Sequence, residues 1–366
     1  MINNRKILQE IEIIRGLAII LIVLCHIPHF IKISSYQNNL DSISLIFAQI
    51  GLCLFFFVSG FILYYNYNSF KSTKSIINFY NKRLKRIFPL YWAALFLFTI
   101  WTLYTYGSLI VGTYTISIPA YISTIAGLQE FFFTEGQQTY LWFISVLIMY
   151  YLIYPLIIRP KKLINMLSLS SAIFITAFIV HLNFNLIEIS FFKYYWIFIG
   201  GILLCLIKYD KNQIFSNNYL DYLAFSFLLL VSLIISKKFY NFNYLLISFV
   251  PCIIIYVILN NIFTSKFMNI KKITLSKLYI LLSKISMGSY SIYLFHIILL
   301  YILVLILDKY SISTFYNLII IIVGIPGVFI VGYYIQKLEK KLWLMDYNSI
   351  KSYIIQSENI DKKKYS

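Results

Sequence analysis

Apolar runs of about twenty residues recur along this chain, and no other feature narrows its fold so far. A run of that length crosses the hydrocarbon core of a bilayer as a helix, because there every backbone polar group must be satisfied within the segment. Such runs lie near 13–33, 43–65, 87–106, 140–158, 166–184, 191–208, 216–236, 242–262, 286–307 and 314–336. The expected fold is all-α: a polytopic membrane helix bundle of about ten transmembrane helices. With 60% hydrophobic and 12% charged residues and a mean hydropathy of +0.80, a soluble domain is excluded.

Charge supplies an independent check on the helix count, since Lys and Arg collect in cytoplasmic loops. With both the N- and C-termini cytoplasmic and loops alternating, 26 of the 31 basic residues fall on the inner side. Six of them lie in 71–86, three in 159–162, five in 266–284 and seven beyond residue 336. The outer side keeps Lys32, Lys193, Lys237, Lys238 and Lys309. The net charge of +18 is then an inward-facing basic surface opposite anionic lipid, and no nucleic-acid partner is needed to explain it.

The N-terminal segment has no small-residue cleavage site after its apolar run, so the first helix is expected to be retained. Cys25 follows bulky residues and does not suit a lipoprotein signal. Cys25, Cys53, Cys205 and Cys252 all fall in expected spans, as small hydrophobes. No metal site is expected, and no nucleotide-binding glycine fingerprint occurs. One transmembrane domain is expected over 1–340, followed by a short charged cytoplasmic tail over 341–366. The stretch IPAYISTIAGLQEFFF, within the longest outer segment (about 107–139), is too apolar for a free loop and should pack on the bundle.

Against this background, polar groups inside spans stand out, because ionisable side chains in a membrane face a protein interior or an aqueous cavity. Arg15 and His26 bracket the first run with ten residues between them. Eleven steps of a helix are about three full turns, which puts both on one face, roughly 16 Å apart. His296 occupies the ninth span, at a depth similar to that of His26. A neutral imidazole can take a proton from a hydroxyl as a general base, or it can simply make an interhelical hydrogen bond. His29 and His181 lie nearer helix ends and read as structural.

Arg83 and Arg86 precede the third span at a spacing of three, on one helical face. Their forked guanidinium groups suit phosphate, with Lys82 and Lys85 adding charge, although flanking basic residues are also ordinary topology signals. Pro89 is consistent with a helix start nearby. Ser59 and Gly60, in FFFVSGF, read as a small pair that lets two helices approach closely.

Four segments in this order resemble the acyltransferase-3 family of integral-membrane acyltransferases, which modify cell-surface glycans in bacteria. They are RGLAIILIVLCH with Arg15 and His26, FFFVSGF, RLKRIFPLYW with Arg83 and Arg86, and the pair LWFISVLIMYYLIYP and SYSIYLFH. The resemblance implies that Arg15 and His26 serve acyl transfer, that Arg83 and Arg86 receive the acyl-CoA donor, most simply acetyl-CoA, and that His296 is the histidine of the later segment. In one place the chain departs from the pattern: many glycan-acetylating members carry Trp-x4-Glu at the start of the fourth span, whereas Trp142 is followed by Leu147 here.

The resemblance implies a multi-pass protein of a bacterial plasma membrane, with acyl-CoA on the cytoplasmic side and a surface or lipid-linked glycan hydroxyl as acceptor. His26 would act as general base. The identity of the acyl group, the acylated position and the choice between direct transfer and an acyl-enzyme stay open. A transporter or flippase of a lipid-linked glycan, without covalent chemistry, is the competing class.

Overall fold

A computed structural model describes residues 2–31, 37–107, 110–111, 114–115, 118–131, 141–160, 162–209, 272–310 and 315–342. The spans expected at 216–236 and 242–262, Cys252 and the tail beyond residue 342 lie outside the described residues. Within them the chain is helical, apart from a minimal antiparallel pairing of Ile110–Val111 with Tyr114–Thr115. Seven helices are long and apolar enough to cross a membrane, and Trp142–Ile157 is a shorter apolar helix.

Helix α1 (Ile2–His26) ends in a short 3-10 turn, Ile27–His29, where Pro28 removes a backbone donor. It packs between α2 (Gln37–Asn66) and α8 (Lys272–Met287). Gly16 makes the second contact possible: a Cβ there would stand 2.7 Å from the Leu282 carbonyl oxygen. Gly60 on α2 and Gly201 on α7 (Ile189–Tyr209) do the same for another helix pair. A methyl at either one would overlap a backbone carbonyl, of Phe198 or Phe57 respectively. The Ser59–Gly60 pair therefore divides its work, with Gly60 packing and Ser59 lining a cavity.

Helix α3 (Thr73–Tyr106) is longer than the sequence suggests. It starts at a reciprocal capping box between Ser72 and Ser75, which satisfies two otherwise orphaned N–H groups. Arg83 and Arg86 therefore sit inside a helix, and Pro89 lies within it rather than near its start. Proline costs the helix one hydrogen bond there, but the capped first turns and the bundle around them hold the helix together. Further along the chain, α4 (Ile118–Ile125) lies against α3. Tyr91 donates to the Thr124 carbonyl at 2.5 Å and Trp92 donates to that of Ile125 at 3.0 Å, so this apolar segment packs on the bundle as expected.

Helices α5 (Trp142–Ile157) and α6 (Leu163–Phe184) follow. The polar link from α6 to α7 is a built turn: Asn185 has φ 53° and His181 donates from Nδ1 to the Ile187 carbonyl at 2.7 Å. The segment expected as a basic loop over 266–284 contains α8, which breaks at Gly288 into α9 (Ser289–Lys309). The last described helix, α10 (Tyr316–Leu342), has a π turn at Ile320–Gly324 just ahead of Pro326. Its Gly332 packs against α9, where Ser291 donates to the Gly332 carbonyl at 2.5 Å.

Candidate active site

The close passage of α1 over α8 fixes Arg15. Its Nε donates to Ser286 Oγ at 2.8 Å. One turn earlier, Glu12 accepts from Tyr279 at 2.9 Å and from Ser283 at 3.2 Å. Both helices thus contribute side chains to one polar seam, in a region where long-range contacts alone could reveal it.

Arg15, Arg83 and Arg86 line one cavity of about 100 Å³, and Arg15 and Arg86 are near enough to repel. Arg83 is only 8% exposed, and its Nε is buried without a hydrogen-bond partner. Its guanidinium carbon lies 5.1 Å from the centre of the Tyr67 ring and 5.6 Å from those of Phe79 and Tyr151, distances at which a cation is attracted to the ring face. The aromatic cage holds the charge without neutralising it. Arg86 is exposed. Ser59, Ser289 and Tyr290 add polar groups, and Phe55, Val58, Phe143 and Leu147 form part of an apolar wall. Leu147, where the sequence pattern leads one to look for a glutamate, therefore leaves that wall uncharged.

Two further lining residues, Phe143 and Tyr293, lead away from the arginines. Their rings are 5.1 Å apart, and that of Tyr293 is 6.0 Å from His296. The rings of His26 and His296 are 5.1 Å apart, and His29 stands 6.1 Å from His26. The two histidines from the first and ninth expected spans thus meet, while Arg15 faces the cavity three helical turns from His26. His29 is exposed.

His296 is 1% exposed. Its Nδ1 lies 2.7 Å from the Tyr293 carbonyl oxygen. A carbonyl only accepts, so Nδ1 carries the proton and Nε2 is left as a bare lone pair. That Nε2 is buried and without a hydrogen-bond partner, so it is an acceptor held in position with nothing to accept.

Glu130 has no assigned role in the sequence reading. It follows α4 and is only 5% exposed. Its N–H donates to Ser145 Oγ at 3.0 Å, and Ser190 donates to its carboxylate. Burial raises its carboxyl pKa to about 7, the Ser190 hydrogen bond pulling the other way. Tyr293, which stands between arginines and histidines, is also invisible to motif reading by itself. Its signal is the spacing: it precedes His296 by three residues, on the same helical face. Among the described residues no group of three or more His, Cys, Asp or Glu side chains could hold a metal ion.

The described residues thus form a polytopic helix bundle in which a cavity lined by three arginines shares Tyr293 with the contact between His296 and His26. The acyltransferase-3 family model, described as an acyltransferase domain, matches residues 8–337, and the chain belongs to that family. It is 23% identical over 239 residues to nodulation protein 10 of Rhizobium leguminosarum bv. viciae, a match covering 59% of this chain and 64% of that protein, less than two thirds of its length. No solved structure matches the chain.

Proposed function

We propose that this chain is a membrane O-acyltransferase that moves an acyl group, acetyl in the simplest case, from acyl-CoA to a hydroxyl of a cell-surface or lipid-linked glycan. The observation that carries this reading is one chain of contacts: three arginines line a cavity together with Phe143 and Tyr293, Tyr293 stands against His296, and His296 against His26. Family membership supports acyl transfer. The basic-residue count supports a cytoplasmic donor, and we place the chain in a bacterial plasma membrane.

In this reading the phosphates of the donor lie at Arg83 and Arg86, where forked donors match phosphate oxygens, with Arg15 beside them. The thioester end passes Phe143 and Tyr293. An imidazole of the histidine pair, His26 with His296 beside it, takes the proton of the acceptor hydroxyl. The hydroxyl oxygen bonds to the thioester carbonyl carbon, the carbon–sulfur bond breaks, and the departing thiolate takes the proton back. The products are an ester and free CoA thiol. No metal takes part.

Incubation of the purified protein in liposomes with radiolabelled acetyl-CoA and candidate glycans tests this. Label is expected in the glycan, with one CoA thiol released per ester formed. Glycan crossing the bilayer unlabelled, with no thiol released from any acyl-CoA, would overturn it in favour of a transporter.

A further inference from the structure

We propose that a second, larger cavity at the basic end of the bundle is a binding site for an anionic phospholipid of the adjacent leaflet. The cavity, about 740 Å³, lies between the turn that joins α2 to α3 and the turn that joins α5 to α6. The first turn leads into the basic segment 71–86, and the second carries the basic segment 159–162.

Its lining is amphipathic in the way a lipid is. Lys71 and Arg159 line it and are exposed, and the hydroxyls of Ser72 and Thr73 are beside them. No carboxylate is among its described lining residues. The floor includes Met166 and Leu206, both apolar and buried. Along one side stand Leu152 and Leu156 of α5, 47% and 45% exposed, which in a membrane is exposure to acyl chains.

A soluble anion would use the rim and leave the apolar floor wet, whereas a neutral lipid would fill the floor and leave two cations uncompensated. An anionic phospholipid satisfies both, with its phosphate at Lys71 and Arg159 and a chain running past Leu156 over Met166. Basic residues near the cytoplasmic surface attract such lipids. The site is separate from the arginine cavity. The wall that includes Phe70 lines the lipid cavity on one side, and Phe70 packs on Phe79, a member of the Arg83 cage, with ring centres 5.4 Å apart.

Native mass spectrometry of the full chain in detergent, titrated with phosphatidylglycerol and with phosphatidylcholine, tests the proposal. The parent protein should retain phosphatidylglycerol preferentially. Lys71→Ala with Arg159→Ala should weaken that retention by about fivefold per cation removed. Lys277→Ala with Lys284→Ala removes two exposed cations from α8 that do not line the cavity and should leave the preference intact. Met166→Trp should reduce retention of both lipids by filling the floor. Equal retention of the two lipids by the parent, unchanged phosphatidylglycerol binding in the Lys71/Arg159 variant, or displacement of the lipid by equimolar sn-glycerol 3-phosphate would each overturn it.

Discussion

The two ends of the candidate site handle polarity in opposite ways. At the arginine end, formal charges are gathered around an open cavity: Arg86 is exposed, and Arg83 is caged by aromatic rings that attract it without cancelling it. At the histidine end, His296 is packed away from water almost completely, with a lone pair left unused, and the half-buried His26 stands against it. Cations around a cavity suit a ligand that arrives already charged. A positioned, dry acceptor suits a proton that moves only when a substrate is present. On the proposed function the contrast gives binding to one end and chemistry to the other, and that division fails if mutations at the two ends have the same effect.

The largest expected effect is at the histidine end. Glutamine keeps hydrogen-bonding capacity but cannot take up a proton. His26→Gln and His296→Gln should each lower acyl transfer by about 10²–10⁴-fold, the contribution of a positioned base. Donor affinity, measured by equilibrium binding of acyl-CoA to the purified protein, should stay within about twofold, because neither ring lines the arginine cavity. Parental transfer rates in both variants would reduce the histidine pair to helix packing.

Glu130, held by Ser145 and Ser190, gives a separate, pH-dependent readout. Its carboxyl pKa is raised in the folded protein from 4.5 to about 7, so the folded state holds the proton more tightly than the unfolded chain. The resulting stability is complete below about pH 4.5 and is lost as pH rises toward 7, at most about 3 kcal/mol for a buried group. Thermal melting between pH 5 and 8 should fall for the parent, and Glu130→Gln should flatten that part of the profile. A parent profile that does not fall across this window would show that the Glu130 carboxyl titrates at its ordinary value.

At the arginine end the effect should be smaller and confined to binding. A hydrogen bond to a charged group is worth about 1.5–3 kcal/mol, so Arg83→Ala and Arg86→Ala should each weaken acyl-CoA binding by about 10–100-fold. Lysine substitutions separate fork from charge. Arg86→Lys, at an exposed position, should recover part of the affinity. Arg83→Lys should recover less, because a compact ammonium loses the planar contact with Tyr67 and Tyr151 as well as the fork. Unchanged donor affinity in folded alanine variants would return both residues to the role of topology signals.

The reach of the sequence reading follows the range of the interactions. Apolar runs placed α2, α5–α7 and α9 within about six residues at each end, because hydropathy is local, whereas α1 begins at Ile2, well before its apolar run, in a polar stretch that hydropathy does not mark. Where polarity and helicity part company, that reading stops short. The basic stretches before Arg86 and over 272–284 look like loops by charge, yet Ser72 caps one into α3 and Gly16 gives the other a surface to pack on. In the Arg83 cage only Phe79 is a helical neighbour, four residues back on α3; Tyr67 and Tyr151 come from outside that helix, and Glu12 meets Tyr279 across 267 residues. No local pattern carries such contacts.

The smallest expected effect tests whether depth, and not simply the presence of an imidazole, sets the role of the histidine end. His29 lies 6.1 Å from His26, nearer to it than a functional distinction from sequence spacing would require, but it is exposed and sits in the 3-10 turn beyond the end of α1. An exposed imidazole exchanges protons with water and gains nothing from a low-dielectric surrounding. His29→Gln should therefore change acyl transfer by less than about twofold, in the range of an ordinary surface substitution, with donor affinity unaltered. Assayed beside His26→Gln at the same donor concentration, it isolates burial from chemistry. A loss in His29→Gln as large as that in His26→Gln would place the reacting hydroxyl outside the His26–His296 contact, at the exposed face of the turn, and the dry end of this site would then be packing alone.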